Sequence, residues 1–251
     1  MKIIDIHAHM LYGIDDGAFD EKMSLKLMGM DYEQGVRGIF CTNHSYGMKD
    51  GYEDYHRRFE NLSKLTSEKY LGLSLYKGCE VLCRQEAMSE IIDDIQKNVY
   101  PTMNGTKYVL AEFSPGRTKG MAEMRYCLEC LLEHGYVPII AHAERYYSIY
   151  DDPLEDMGRL KETGCLVQIN LYSVEQDQGS IDGHRKELAN LFLAHRFVDF
   201  VGTDAHNLDY KFPEVAVGAR VLLERYGDEY AEAIFWKNAE RILYAGRFKH
   251  K

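Results

Sequence analysis

The sequence predicts an α/β fold, a barrel built as one domain over residues 1–251, and three observations predict it. Strand-like and helical segments alternate along the whole chain. Several strand-like segments are near-continuous apolar runs, the pattern of parallel strands covered on both faces. Residues able to bind metal recur at the C-terminal ends of these strands, where an α/β barrel gathers its catalytic groups. The alternative is an open doubly wound sheet, but no GxGxxG follows any strand to support a nucleotide-binding version. With 251 residues, 45% of them hydrophobic, the chain can bury one sizeable core.

Strands are expected at 2–7, 38–42, 74–81, 108–112, 137–141, 165–169 and 197–203. The clearest helix between them is 122–134. There Met124, Cys127, Leu128, Leu131 and Leu132 recur at i, i+3, i+4, i+7 and i+8, and Gly135 is the stop. Segment 21–34 ends at Gly35 in the same way, and Gly164 separates a helical pattern from the next strand. Two further helices, about 214–226 and 228–244, close the chain. There is no internal repeat or low-complexity tract, and five prolines are too few for a Pro-rich hinge.

The polar strand ends follow in order. The first strand ends in Asp5-Ile6-His7-Ala8-His9, the second in Thr42-Asn43-His44 and the third in Gly78-Cys79-Glu80. The fourth carries Ala111-Glu112-Phe113, the fifth Ala141-His142-Ala143-Glu144-Arg145, and the seventh Gly202-Thr203-Asp204-Ala205-His206. The sixth ends in Gln168-Ile169-Asn170, which is polar but poor at binding metal. His7 and His9 are two apart on an extended strand and so are expected to point the same way. Histidine mixed with Asp and Glu suits manganese, iron or zinc better than magnesium or calcium. Cations held close together generate hydroxide at neutral pH and stabilise both apical oxygens of an in-line displacement at phosphorus. A lone His at a strand end is ordinarily structural, and HxH alone is a weak motif. The functional reading rests on recurrence over six strand ends, which take five of the ten histidines. His56, His134, His184, His195 and His250 fall elsewhere and read as surface or helix residues.

Composition excludes other classes. A formal charge of −10 repels polyanions, so nucleic-acid binding is disfavoured, although one phosphate group can still meet a local cation. Asp5, His7 and His9 interrupt the first apolar stretch, which argues against a signal peptide, and no run approaches the ~18 apolar residues of a membrane span. A cytoplasmic location is expected, and the six cysteines fit it. Cys127 and Cys130 form a lone CxxC without a second pair, which reads as helix packing rather than a zinc site. No cysteine is followed six positions later by Arg, so the loop of cysteine-dependent phosphatases is missing, and no GxSxG marks a serine hydrolase.

Taken together, DIHAHMLYGIDDGA, CTNH, GCEV, LAEFS, PIIAHAERY and VGTDAHNLD resemble the PHP (polymerase and histidinol phosphatase) superfamily. Within it they are similar to the capsule-associated tyrosine-protein phosphatases of Gram-positive bacteria, the CpsB/CapC type. Order and spacing agree over essentially the whole chain, as far as Asn238-Ala239-Glu240-Arg241-Ile242.

The resemblance implies a distorted seven-stranded (β/α) barrel with three divalent metal ions, usually manganese, with iron or zinc as alternatives. It implies a first metal on His7, His9, Glu80 and Asp204. It places a second on Glu80, Glu112 and His142, and a third on Asp16, His44 and His206. It assigns phosphate binding to Arg145 and puts Lys211 where the family has a second arginine; His206 doubles as a catalytic residue. Ser45-Tyr46-Gly47 follows His44 where the family has basic residues. The implied substrate is phosphotyrosine in the tail of a bacterial tyrosine kinase that controls polysaccharide export, met in the cytoplasm at the inner membrane face. The alternatives are a small-metabolite phosphatase of the histidinol-phosphatase type and a non-catalytic scaffold of the capsule machinery. No nucleic-acid partner and no integral membrane segment are expected.

Overall fold

The structure, a computed structural model, describes residues 2–48, 51–174, 181–209 and 213–246. Strand β1 (Ile3–Ala8) pairs in parallel with β2 (Val36–Cys41), and β2 with β3 (Ser74–Lys77). A second parallel sheet runs β4 (Glu80–Leu82), β5 (Tyr108–Glu112), β6 (Val137–Ile140), β7 (Leu166–Asn170) and β8 (Phe200–Gly202) in that order. Eight strands thus stand among the described residues where seven were expected. Among the described residues the ladders form two parallel sheets, of three and five strands. Single bridges link their edges, Ala8 to Ala205 and His44 to Glu80.

The extra strand arises where the segment expected at 74–81 breaks. The Tyr55 hydroxyl donates to the Gly78 carbonyl at 3.1 Å and accepts from the Gly78 amide at 3.2 Å. Both backbone groups of Gly78 are thus satisfied by a side chain rather than by a ladder. A Cβ at Gly78 would lie 3.0 Å from Thr42 Cγ2, so the close approach itself favours glycine.

The helices are α1 (Glu21–Glu33), α2 (Ser45–Met48), α3 (Tyr52–Lys69), α4 (Met88–Gln96), α5 (Met121–Glu133), α6 (Pro153–Glu162), α7 (Ile181–Ala194), α8 (Ala216–Tyr226), α9 (Asp228–Glu232) and α10 (Asn238–Tyr244). Capping explains the starts. Asp20 accepts from Met23 N at 2.7 Å, and Asp152 from Leu154 N and Glu155 N, both at 3.0 Å, with Pro153 at the first position of α6. Gly35 and Gly135, read as helix stops, take φ of +98° and +82°. The helix expected over 228–244 is instead α9 and α10 joined by a wider π turn at Ala233–Lys237. No helix among the described residues is long and apolar enough to cross a membrane.

Two apolar layers hold the sheets. Ile4, Ile6, Phe40, Leu110, Ile139 and Phe200, drawn from five strands, form one cluster that Ala239 and Ile242 of α10 also join. The larger cluster lies between the strands and the helices and includes Cys127 and Leu131 of α5. All six cysteines are free thiols, and the buried Cys127 packs in this layer as the helical reading expects.

One core group is unusual. Asp31 of α1 is fully buried beside Asp5 of β1. Burial first, and the Asp5 carboxylate second, push its carboxyl well above the usual aspartate range. An acid whose folded pKa is raised keeps full stability below its unfolded value of about 3.9 and loses it as the pH climbs to the folded pKa. Asp31→Asn removes that ionisation. The expected result is a melting temperature raised by about 2–4 °C at pH 8, the worth of about 1 kcal/mol in a chain of this size, with less gain at pH 4–5. A gain that does not depend on pH, measured by calorimetry, would exclude this account.

Candidate metal centre

The site lies at the C-terminal ends of the strands and begins with a defect in β1. Asp5 pairs with Ile39 and Ala8 with Cys41, so β1 spends one residue more than β2 between these points. Strand parity alone would put His7 on the face of Asp5, which lies beside Asp31. The bulge re-aims it. Nε2 of His7 and Nε2 of His9 then converge to 3.3 Å. His7 Nε2 lies 3.3 Å from Glu80 Oε2 and 3.5 Å from Asp204 Oδ1. The corresponding His9 distances are 3.1 and 3.4 Å. These four donors, all buried, lie within 4.8 Å of one another.

Two further groups adjoin the first. His44, Glu80 and Glu112 form one, with His44 Nδ1 3.0 Å from Glu80 Oε2 and 3.2 Å from Glu112 Oε2. His142 joins through Glu80, its Nε2 being 2.7 Å from Oε1. The other comprises Asp16, His44 and His206 together with His9, whose ring stacks on His206 at 3.8 Å. The structure thus brings together all nine residues named as metal ligands. Arg145 stands beside them, its Nη1 3.2 Å from Asp204 Oδ2. Lys211 lies outside the described residues.

The donor set fits divalent cations. His44 Nδ1 and Glu80 Oε2 are buried without a hydrogen-bond partner although only 3.0 Å apart. Such a gathering of carboxylates and imidazoles in a dry interior is costly unless positive charge sits among them. The carboxylates also draw protons toward several of the histidines. Burial would lower His7 and His9, yet Glu80 and Asp204 beside the first, and Asp15 beside the second, hold both above the usual range. His44 is likewise drawn up to about 10 by Glu80 and Glu112 against its burial. Glu80 is buried, but the positive charges of His7 and His44 hold it well below the usual carboxylate range. His142 goes the other way, to about 4, from burial and the nearby Arg145. A cation binding here therefore displaces protons.

A second layer, not singled out from the sequence, aims these ligands. Asp15 Oδ2 accepts from His9 Nδ1 at 2.7 Å and from the His44 amide at 2.7 Å. Asp15 Oδ1 accepts from Asn43 Nδ2 at 2.7 Å and from Gly17 N at 3.0 Å. In the Asp-Asp-Gly turn, Asp16 faces the cluster while Asp15 is buried behind it. Gly17 is needed because a Cβ there would meet the His9 carbonyl at 2.4 Å. Gln168 Oε1 takes the His142 amide at 2.7 Å and faces His7 Nδ1 at 3.1 Å. The line continues through Asn170 to Asp204 Oδ2, with steps of 2.9 and 2.9 Å. The sixth strand end, poor as a ligand, is thus a brace. The Tyr146 hydroxyl sits 3.1 Å from His142 Nδ1 and accepts from Phe113 N at 3.0 Å. Buried Glu144, whose carboxyl burial pushes to about 7, accepts from Ser173 Oγ at 2.7 Å and Asn170 N at 3.1 Å. Asp15, Asn43 and Glu144 carry a sequence signal, polarity one or two positions from a ligand; Gln168, Asn170 and Tyr146 carry none of that kind.

Backbone strain marks the same place. His142 (φ +32°) and Asp204 (φ +53°) are left-handed non-glycine residues, a conformation that costs about 1–3 kcal/mol and persists where the surroundings enforce it. Asp15→Asn is expected to weaken metal binding about 10–100-fold, the usual cost of removing the carboxylate that orients a metal histidine, with the fold intact. Titration calorimetry with manganese checks it, and unchanged affinity would remove Asp15 from this role.

The sequence profile for capsular polysaccharide synthesis proteins, CpsB/CapC, matches residues 3–244. The chain is 31% identical over 245 residues to tyrosine-protein phosphatase CpsB of Streptococcus agalactiae serotype III strain NEM316, covering 96% of this chain and 98% of that protein. It is 30% identical to tyrosine-protein phosphatase YwqE of Bacillus subtilis strain 168, covering 96% of this chain and 91% of that protein. It also superposes on one of the crystal structures of YwqE from Bacillus subtilis and CpsB from Streptococcus pneumoniae, described as unique metal-dependent tyrosine phosphatases. There the TM-score is 0.79 at 26% identity, over 99% of this chain and 97% of the other.

Proposed function

This chain belongs to the CpsB/CapC family of capsular polysaccharide synthesis, and from that membership we infer that it is a metal-dependent protein-tyrosine phosphatase. The observation that carries the reading is the convergence of His7, His9, Glu80 and Asp204 within 4.8 Å, flanked by two further donor groups. We propose three divalent ions: one on His7, His9, Glu80 and Asp204, a second on Glu80, Glu112 and His142, and a third on Asp16, His44 and His206. Manganese suits this mixture of imidazole and carboxylate, with iron or zinc as alternatives. Bound, such ions supply Lewis acidity toward the phosphoryl group and make water at the site more acidic.

The chain's own residues do the rest. Glu80 and Glu112 fix the charge that the ions must match. Arg145, steered by Asp204 at 3.2 Å, offers its guanidinium to non-bridging phosphate oxygens, and Lys211 adds a second positive charge. The leaving tyrosinate is the conjugate base of an acid of pKa about 10, so it departs with little proton donation, and His206 contributes as a ligand of the third ion, its Nδ1 turned to the Asp204 carbonyl at 2.7 Å. We place the substrate in the phosphorylated tail of a bacterial tyrosine kinase controlling polysaccharide export, met in the cytoplasm at the inner membrane face. The whole chain acts as one domain in this reading. A distorted (β/α)7 barrel is supported by the bridges Ala8–Ala205 and His44–Glu80 and by the cluster that five strands share.

The deciding experiment compares turnover of a phosphotyrosine peptide with that of histidinol phosphate, with manganese added and then chelated. Fast, manganese-dependent hydrolysis of the peptide is expected. Faster hydrolysis of histidinol phosphate would move the assignment to a metabolite phosphatase. Full metal loading without turnover of any phosphomonoester would leave a scaffold.

A further inference from the structure

Beside the metal centre lies a cavity of about 320 Å³ whose lining includes Arg84, Arg117 and Lys119. Its position follows from the strand register. Leu82 pairs with Glu112, and the cavity opens from Leu82 and Ser114, each two residues past a ligand carboxylate, Glu80 or Glu112. Two residues of strand span about 7 Å. The cavity is therefore on the rim of the site, within reach of a bound peptide.

Its charge is out of keeping with the molecule. The chain carries 40 acidic against 30 basic residues, yet three cationic side chains gather here. Arg84, Arg117 and Lys119 are exposed, and none of them pairs with a carboxylate among the described residues. Two acids also line the cavity, Glu86 and Glu123. Glu123 is turned to the backbone, accepting from Lys119 N at 2.8 Å. The N-terminus of the 13-residue α5 ends at the same wall, and Glu123 in its first turn meets that positive end rather than the cationic side chains. Elsewhere on the rim the segment after His44, Ser45-Tyr46-Gly47, brings no cation.

We propose that this cavity is a subsite for a second anionic group of the substrate peptide, a carboxylate or a phosphate lying within about three residues of the phosphotyrosine in extended chain. It rests on the phosphatase reading and adds a basis for choosing among phosphotyrosines. Arg84 and Lys119 take the anion and Arg117 closes over it. The preference is electrostatic and so weakens with salt.

The test uses the manganese-loaded enzyme and three peptides that share one phosphotyrosine. One has neutral flanks, one has glutamates at the neighbouring positions, and one has a second phosphotyrosine that a non-hydrolysable phosphonate replaces. The expected result is kcat/KM about fivefold higher for both anionic peptides than for the neutral one, carried by KM. In the double variant Arg84→Ala, Lys119→Ala the ratio falls to near one, and 0.5 M salt does the same to the unaltered chain. A larger gain for the phosphonate than for glutamate identifies phosphate as the preferred group; equal gains identify any anion. No preference in the unaltered chain, or one that survives the double variant, overturns the subsite while leaving the phosphatase reading in place. Failure to hydrolyse even the neutral peptide overturns the phosphatase reading, and the subsite with it.

Discussion

Replacing Glu80 with glutamine is expected to lower kcat/KM on a phosphotyrosine peptide about a thousandfold and to leave less metal bound. Glu80 faces four imidazoles. Oε2 lies 3.3, 3.1 and 3.0 Å from His7, His9 and His44, and Oε1 lies 2.7 Å from His142. Glutamine keeps the shape, so the fully buried site remains packed. What it loses is the negative charge that two cations would share, and its NH2 turns a donor toward ligands that need an acceptor. Loss of Lewis-acid assistance worth several kcal/mol corresponds to about three powers of ten in rate. Metal content by plasma emission, read beside the kinetics, separates this from misfolding. A Glu80→Gln variant that binds metal in full and turns over normally would remove Glu80 from the centre of the mechanism.

Arg145→Lys is expected to lower kcat/KM about 10–100-fold, chiefly by raising KM. Arg145 is half-buried and pinned by Asp204; burial works against its charge, and the nearby Asp204 carboxylate more than offsets that. Lysine keeps the charge but has no fork, so it cannot hold two phosphate oxygens while also meeting Asp204. Inorganic phosphate and vanadate should lose affinity in parallel. Because Asp204 is itself a proposed ligand, metal content is measured in the same preparation. Loss of metal without loss of phosphate affinity would make Arg145 a support for Asp204 rather than a phosphate ligand.

Much of this architecture is legible in the sequence alone. The strand positions were within a few residues because apolar runs bounded by glycines and polar strand ends are local signals. The recurrence of His, Asp and Glu at those ends marks His7, His9, His44, Glu80, Glu112, His142, Asp204 and His206, and the structure brings them together. Asp16 is marked only by the family resemblance, since a loop carboxylate has no periodicity to betray it.

Other features depended on partners far away in sequence. The break in the third predicted strand is made by Tyr55, whose hydroxyl takes both backbone groups of Gly78. Asp15 and Asp16 are neighbours of identical type, yet one is buried against His9 and Asn43 while the other is open beside Tyr46. No local rule separates them, because the difference lies in which way a turn faces a site built by other strands. Gln168 and Asn170 are poor metal ligands by type, and only their contacts with His7, His142 and Asp204 make them braces.

The paired histidines show the division most plainly. Composition and order alone determined that imidazoles and carboxylates would meet at one end of a parallel α/β fold, because strand ends must converge once strands and crossover helices alternate. The direction in which His7 points was decided in three dimensions. Parity on a regular strand would have left it on the face of Asp5, beside the buried Asp31. The extra residue between Asp5 and Ala8 turns it to within 3.3 Å of Glu80. A bulge is a property of two paired strands and their register, and one strand's sequence does not specify it.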